Sequence, residues 1–401
     1  MTAAFRAVRD VLPRCLSGIR WWSRLPPRRR VSEGTTRGPE AIGGACDTNR
    51  VSIANVLPLP ASVTDLTPEW FSHVLARPVA SVELEPLDEG VGFLSRTVRA
   101  RLSSDDAQPV VLVVKFAAEG PARAVASSMG VYEREVRFYN ELARRVGVAV
   151  PDCMLARIDD DSGLFVLVLE DLSPARAGDQ MIGATDDEIS AAVVTAARLH
   201  GAWWDSAELS AWKWLPSQAE LVGGSLARAP ELYPAFAEAW SDEFSDEELK
   251  LGEKVTRNVE RLVDGVDHAP FTLVHGDYRL DNLFFSPGGV KVIDWQLPFR
   301  GFSGAFDIAL LLASSLTSED RNRLMPTLEQ LYLDELARAG VTQFGHVEFR
   351  TALAAAAAQL LARCPVAHQM PSPNERASTM RAKMFRGYFD IATHVGLGEI
   401  L

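Results

Sequence analysis

Residues 271–294, FTLVHGDYRLDNLFFSPGGVKVID, constrain this chain more than any other stretch. The apolar run Phe271 to Val274 predicts a short buried strand. A polar loop follows, His275 to Asn282, and then a second apolar run, Leu283 to Phe285. Ser286-Pro287-Gly288-Gly289 is turn chemistry, and Val290 to Ile293 returns as a strand that ends on Asp294. Two short strands about a tight turn predict a hairpin. Such a hairpin brings Asp277, Asn282 and Asp294 to one end. Two carboxylates and an amide oxygen converging on one point are hard donors, the type that suits Mg2+. The bland alternative is a polar hairpin with no chemistry. The flanking strands, and a third polar residue placed at a strand end, weigh against it.

Bulk properties bound the remaining choices. At 401 residues the chain is long enough for two lobes, each with its own core. A net charge of -12 argues against nucleic acid as a partner. Cys15, Cys46, Cys153 and Cys364 are far apart and form no Cys-x-x-Cys, so a reducing, cytoplasmic setting fits. No apolar run reaches the roughly 18 residues of a transmembrane helix. The first 50 residues differ from the rest: ten Arg against four acids give a net of +6, which leaves -18 for the remainder. Residues 1–55 are therefore read as a basic, disordered extension. A targeting peptide and a weak anionic-membrane anchor compete with an extension from an upstream start codon, and the last is preferred.

Between this extension and the central stretch the motifs follow one another. Thr64 to Leu75 predicts a capped helix with Pro68 in its first turn. Gly90 and Gly92 stand between two predicted strands, where glycines let backbone amides close over phosphates, although a Gly-x-Gly is weak alone and without its neighbours reads as an ordinary hairpin. Val110 to Phe116 is a continuous β-branched run carrying Lys115, a costly residue there unless paired or bound to phosphate. Ala122 to Arg145 predicts one helix, with Glu135 on the face of Val131, Phe138 and Leu142. Cys153–Ile158 and Leu164–Leu169 predict a hairpin that runs into Glu170-Asp171-Leu172. From Asp186 the chain turns helical. His200 reads as a structural histidine, and Trp203, Trp204, Trp212 and Trp214 as core rather than as a cation cage. The last ninety or so residues predict three helices.

Taken with His275-Gly276-Asp277, Asn282 and Asp294-Trp295-Gln296, these motifs resemble the protein-kinase-like small-molecule phosphotransferases: aminoglycoside phosphotransferases, choline kinases and ecdysteroid-kinase-like proteins. The likeness spans roughly residues 60–395. It implies an α+β, bilobal protein-kinase-like fold, with a small antiparallel-sheet N-lobe (56–170) and a mainly helical C-lobe (171–401). It implies that Asp277 is the base and that Asn282 and Asp294 hold Mg2+. Lys115 and Glu135 become the pair that positions the phosphates of ATP or GTP, with Glu133 as the rival partner. Glu135-Val-Arg-Phe-Tyr139 resembles the family's Glu-x-x-Phe-Tyr. Gly90 and Gly92 occupy the place of the glycine-rich loop, but Ser95 stands where a third glycine is expected. Glu170 and Leu172 match the interlobe hinge, where backbone groups bind adenine. Arg279 takes the place of a lysine that stabilises charge on the transferring phosphoryl group. Asp281 is expected to face solvent or cap the loop, and His275 and Asp307 to brace it.

The implied function is transfer of the γ-phosphoryl group to a hydroxyl of a small molecule. The alternative from another class is a non-catalytic, pseudokinase-like nucleotide-binding module, favoured only by the incomplete glycine loop. A metal-dependent phosphate hydrolase is a third reading. The sequence leaves the acceptor open among an amine-bearing alcohol, a sugar, a hydroxy acid and a lipid-derived alcohol, and is silent on oligomeric state.

Overall fold

A computed structural model describes residues 57–400 apart from 88–93, 105–106, 266–267, 269, 371 and 373. The basic extension, Gly90 and Gly92 lie outside the described residues. Thr67 accepts a hydrogen bond from the Trp70 amide and Pro68 takes the first turn, so helix α1 runs Pro68–Leu75. Five strands follow: β1 (Ser81–Pro86), β2 (Ser95–Ser104), β3 (Ala107–Ala117), β4 (Cys153–Asp159) and β5 (Leu164–Glu170). They form one antiparallel sheet in the order β1-β2-β3-β5-β4.

Alternation sorts the side chains of this sheet between its faces. Val98, Ala100, Leu112, Val114, Phe116, Val166 and Val168 pack with Trp70 and Phe71 of α1. Lys115, flanked by Val114 and Phe116, therefore points the other way, toward the segment that follows β3. That segment is not the single helix its periodicity predicts. Helix α2 (Pro121–Ser128) ends before Gly130, whose φ of 66° breaks the helix, and α3 (Val131–Arg137) restarts beyond it. A π turn, Phe138–Leu142, continues α3.

After a two-residue strand, β6 (Arg176–Ala177), the chain is mainly helical. Helix α4 (Asp186–Ala202) starts in a Thr185–Glu188 capping box. Helices α5 (Gln218–Leu226), α6 (Ala229–Ala239), α7 (Asp246–Arg257) and α8 (Val259–Asp264) lead to β7 (Phe271–Val274). Strands β8 (Leu283–Ser286) and β9 (Gly289–Val292) form the expected hairpin, with β6 on its outer edge. Strand β7 does not join it: it pairs with β10 (Phe299–Phe302).

Helices α9 (Ala305–Ser315), α10 (Ser318–Arg338), α11 (His346–His368) and α12 (Glu375–His394) close the fold. Every residue of α9 is buried. The run Ala352–Ala358 of α11 is buried throughout and suits close helix packing. Gly387 of α12 backs onto the Ala313 carbonyl so closely that a Cβ could not be accommodated. The architecture is that of a bilobal, α+β protein-kinase-like fold.

Candidate active site

The loop between β7 and β8 is built from its own backbone donors outward. Asp307, in the first turn of α9 and fully buried, accepts the His275 amide at 2.7 Å and the Gly276 amide at 2.9 Å. His200 Nε2 lies 3.2 Å from the same carboxylate, and its Nδ1 is 2.9 Å from the Tyr332 hydroxyl. His200 is thus structural, as its apolar surroundings predict. The His275 ring reaches the Ile293 carbonyl at 2.9 Å and packs edge-on against Trp295. Gly276 has a φ of 82°, and a Cβ on it would overlap the Leu297 carbonyl oxygen. Only glycine fits there.

This bracing holds Asp277 with a quarter of its side chain exposed. Arg279 Nε lies 3.2 and 3.1 Å from its two carboxylate oxygens. Arg279 Nη1 donates to Asp281 at 2.7 Å and to the Gln180 side-chain oxygen at 3.0 Å. Asp281 also accepts the Gln180 amide at 2.8 Å, so it caps the loop and is partly buried rather than turned to solvent. Sequence reasoning missed Gln180, because nothing in the residues near it signals a contact 99 positions away. Arg279 Nη2 makes no bond among the described residues. Burial works against the guanidinium charge, but Asp277 and Asp281 outweigh it and hold its pKa above the ordinary arginine value.

Asn282 donates its amide hydrogens to the Asp277 carbonyl at 2.8 Å and to the Asp277 carboxylate at 2.9 Å. Its amide oxygen is left without a hydrogen bond among the described residues. Asp294, just beyond β9, has a φ of 64°, a left-handed conformation uncommon outside glycine and of the kind that collects at functional sites. One of its oxygens takes Lys115 Nζ at 2.6 Å, and the other has no hydrogen bond among the described residues. One carboxylate oxygen and one amide oxygen are therefore available as hard donors. That donor set fits Mg2+.

Lys115 also lies 2.8 Å from Glu135, while the rival Glu133 is exposed and pairs with Arg137. Burial opposes the ammonium charge, yet Asp294 and Glu135 keep the Lys115 pKa above the usual lysine value. Burial pushes Glu135 up to about 7, with Lys115 pulling the other way. For Asp294, burial is outweighed by Lys115 and Arg279, which hold its carboxyl below the usual value. The two halves of this ion triad are locked together. Phe138 stacks on Trp295 at 4.0 Å, and Arg134 donates to the Gln296 carbonyl at 2.9 Å.

The other residues singled out in the sequence sit around this centre. Ser95 opens β2 opposite Ala117 and is buried. The Glu170 carboxylate is held by Lys291 Nζ at 2.6 Å, joining the end of β5 to β9. Leu172 follows as a partly buried residue whose carbonyl accepts from Ala175. Trp203 is buried, and Trp212 and Trp214 pack against the core beside it.

The model of the ecdysteroid kinase-like family matches residues 89–342, more than half of the chain. The chain belongs to that family. Among solved structures this family member is similar to choline kinase from Cryptosporidium parvum Iowa II. The two share 10% identity over 80% of this chain and 91% of that one, with a TM-score of 0.53. It is also similar to an ethanolamine kinase from Plasmodium vivax, with 11% identity over 87% and 95% and a TM-score of 0.49. A thermostable mutant of an aminoglycoside phosphotransferase shares 15% identity over 82% and 99%, with a TM-score of 0.45. No curated protein sequence matches the chain. No helix among the described residues is long and apolar enough to cross a membrane.

Proposed function

We propose that this ecdysteroid kinase-like protein transfers the γ-phosphoryl group of ATP or GTP to a hydroxyl of a small molecule. The observation that carries the reading is the convergence of Asp277, Asn282 and Asp294 with the Lys115–Glu135 pair. These five residues come from four separate segments, and a purely structural role would not require them to meet in one place. The N-lobe, residues 56–170, holds the nucleotide. The C-lobe, residues 171–401, carries the catalytic loop, the metal ligands and the acceptor pocket. Glu170 and Leu172 mark the strand end beside which the base binds. We assign phosphate contacts to Gly90 and Gly92, which lie outside the described residues, and to Ser95 at the start of β2.

Asp277 accepts the proton of the acceptor hydroxyl as the oxygen attacks phosphorus. Arg279 and Asn282 fix the rotamer of its carboxylate, and Asp307 fixes the backbone beneath it. Lys115, held by Glu135 and Asp294, places a positive charge where the phosphates lie. The Arg279 Nη2 hydrogens are left for the transferring group. Asn282 and Asp294 would hold Mg2+, which when bound offsets charge on the phosphate oxygens. ATP is a cytoplasmic nucleotide and Cys153 and Cys364 are free thiols, so we place the enzyme in the cytoplasm.

Calorimetric titration with ATP and with GTP, each with Mg2+, tests the assignment. Wild type and Asp277→Ala should bind nucleotide with similar affinity, whereas Asp294→Ala should bind it weakly. Equal binding by all three would remove Asp294 from the metal site.

A further inference from the structure

The proton acceptor has a neighbour that the phosphotransfer reading leaves without a role. Arg363, on α11, is partly buried, and its guanidinium carbon sits 4.5 Å over the ring of Phe306. Phe306 immediately precedes Asp307, the carboxylate that holds the two amides next to Asp277. Arg363 is thereby fixed on the same frame as the catalytic loop. The Tyr388 hydroxyl of α12 and the Asp277 carboxylate both pull the Arg363 pKa upward, against its burial. Tyr388 is only 6% exposed, and the tight Gly387–Ala313 contact beside it leaves α12 little room to move.

Neither the Arg363 guanidinium nor the Tyr388 hydroxyl makes a hydrogen bond among the described residues, and Arg363 forms no ion pair there. Lys115 and Arg279, by contrast, are each held by two carboxylates. A partly buried guanidinium with no hydrogen bond and no ion pair among the described residues is a cation short of a partner; burial lowers its pKa, against the pull of Tyr388 and Asp277. A guanidinium offers only donors, in a fork that matches a carboxylate or another oxyanion. An ammonium-bearing alcohol would instead bring a second positive charge beside it.

We propose that Arg363, with the Tyr388 hydroxyl, binds an anionic oxygen group on the acceptor and so presents the acceptor hydroxyl to Asp277. The substrate class is then a hydroxy acid, or an alcohol carrying a phosphate or sulfate ester, rather than an amine-bearing alcohol. This rests on the phosphotransfer reading, and the test separates the two.

A small-molecule cell extract is split on anion- and cation-exchange resin. Each fraction is assayed for label transfer from γ-labelled ATP by wild type, Arg363→Gln, Arg363→Lys and Tyr388→Phe. In parallel, wild type and Arg363→Gln, each saturated with a non-hydrolysable ATP analogue and Mg2+, are titrated with sulfate. Labelled product should arise from the anion-exchange fraction. Arg363→Gln should raise the acceptor KM about 10- to 10²-fold, the worth of a charge-assisted hydrogen bond, and leave the KM for ATP unchanged. Arg363→Lys should recover part of the loss, which a merely structural role would not predict, and Tyr388→Phe should show a smaller effect. Product from the cation-exchange fraction or the flow-through, or an unchanged acceptor KM in Arg363→Gln, overturns the inference. If no fraction is labelled, sulfate binding that wild type has and Arg363→Gln lacks upholds the anion site and sinks phosphotransfer. With no label and no such binding, both fall.

Discussion

Asp307 offers the sharpest test of how the catalytic loop is held. It is fully buried, and its two oxygens accept the His275 and Gly276 amides at 2.7 and 2.9 Å. In Asp307→Asn, either orientation of the new amide turns an NH2 group toward one of these two backbone donors. One hydrogen bond is lost outright and its N–H left buried, and the other changes from a charged acceptor to a neutral one. A hydrogen bond to a charged group contributes about 1.5–3 kcal/mol, and a buried unsatisfied donor costs about 1–3 kcal/mol. The variant should therefore lose roughly 2–4 kcal/mol of stability, read by urea unfolding followed through tryptophan fluorescence. Gly276 also carries the chain into Asp277, so the base should be misplaced even in molecules that stay folded. A shift of about 1 Å can cost on the order of 10²-fold in rate. Loss of kcat with the KM for ATP unchanged is the expected signature. A stability loss under about 1 kcal/mol together with an unaltered kcat would refute the idea that Asp307 holds the loop.

Further outcomes follow from the same geometry. Asp294→Ala should abolish turnover and weaken nucleotide binding, because it removes a metal donor and one of the two partners of Lys115; each lost charge interaction is worth roughly 10²–10³ in rate. Gly276→Ala forces a Cβ into the Leu297 carbonyl at a φ of 82°, so soluble expression or thermal stability should fall sharply, and a variant as stable as wild type would contradict that packing. Glu135 is pushed up to about 7, so near neutrality it is partly protonated. A carboxyl whose pKa is raised on folding contributes stability that is present at low pH and lost as pH rises through about 7. Ionised Glu135 is also the form that pairs with Lys115. Nucleotide affinity should therefore increase with pH through about 7 in wild type and be flatter in Glu135→Gln, and calorimetric titrations across that range check both.

Much of the site can be read from local sequence because its chemistry is carried by short spacings. Asp277 and Asn282 sit on one loop, and Asp294 follows the hairpin that the Ser-Pro-Gly-Gly turn announces. Lys115 stands out because a cation inside a β-branched run needs a partner, and Glu135 stands out by its place on an apolar helix face. The structure joins these two at 2.8 Å. What escaped the sequence is what depends on distant partners. Strand β10 contains only Phe299 to Phe302, too short to show a period, and it exists because β7 offers it an edge. The helix expected over Ala122–Arg145 ignored Gly130, whose positive φ outweighs an otherwise helical pattern. Gln180 and Arg363 look ordinary in sequence. They acquire meaning only when the segment after β6 and helix α11 are laid against the catalytic loop.

The central claim is that Asp277 is the base of a phosphoryl transfer, and label transfer tests it most directly. Wild type and Asp277→Ala, both first shown to bind ATP with Mg2+, are incubated with γ-labelled ATP and a small-molecule cell extract. Wild type should give a labelled small-molecule product and Asp277→Ala none. Product formed by Asp277→Ala at the wild-type rate would contradict that claim, and intact ATP binding with no product from either protein would return the chain to the non-catalytic, nucleotide-binding reading.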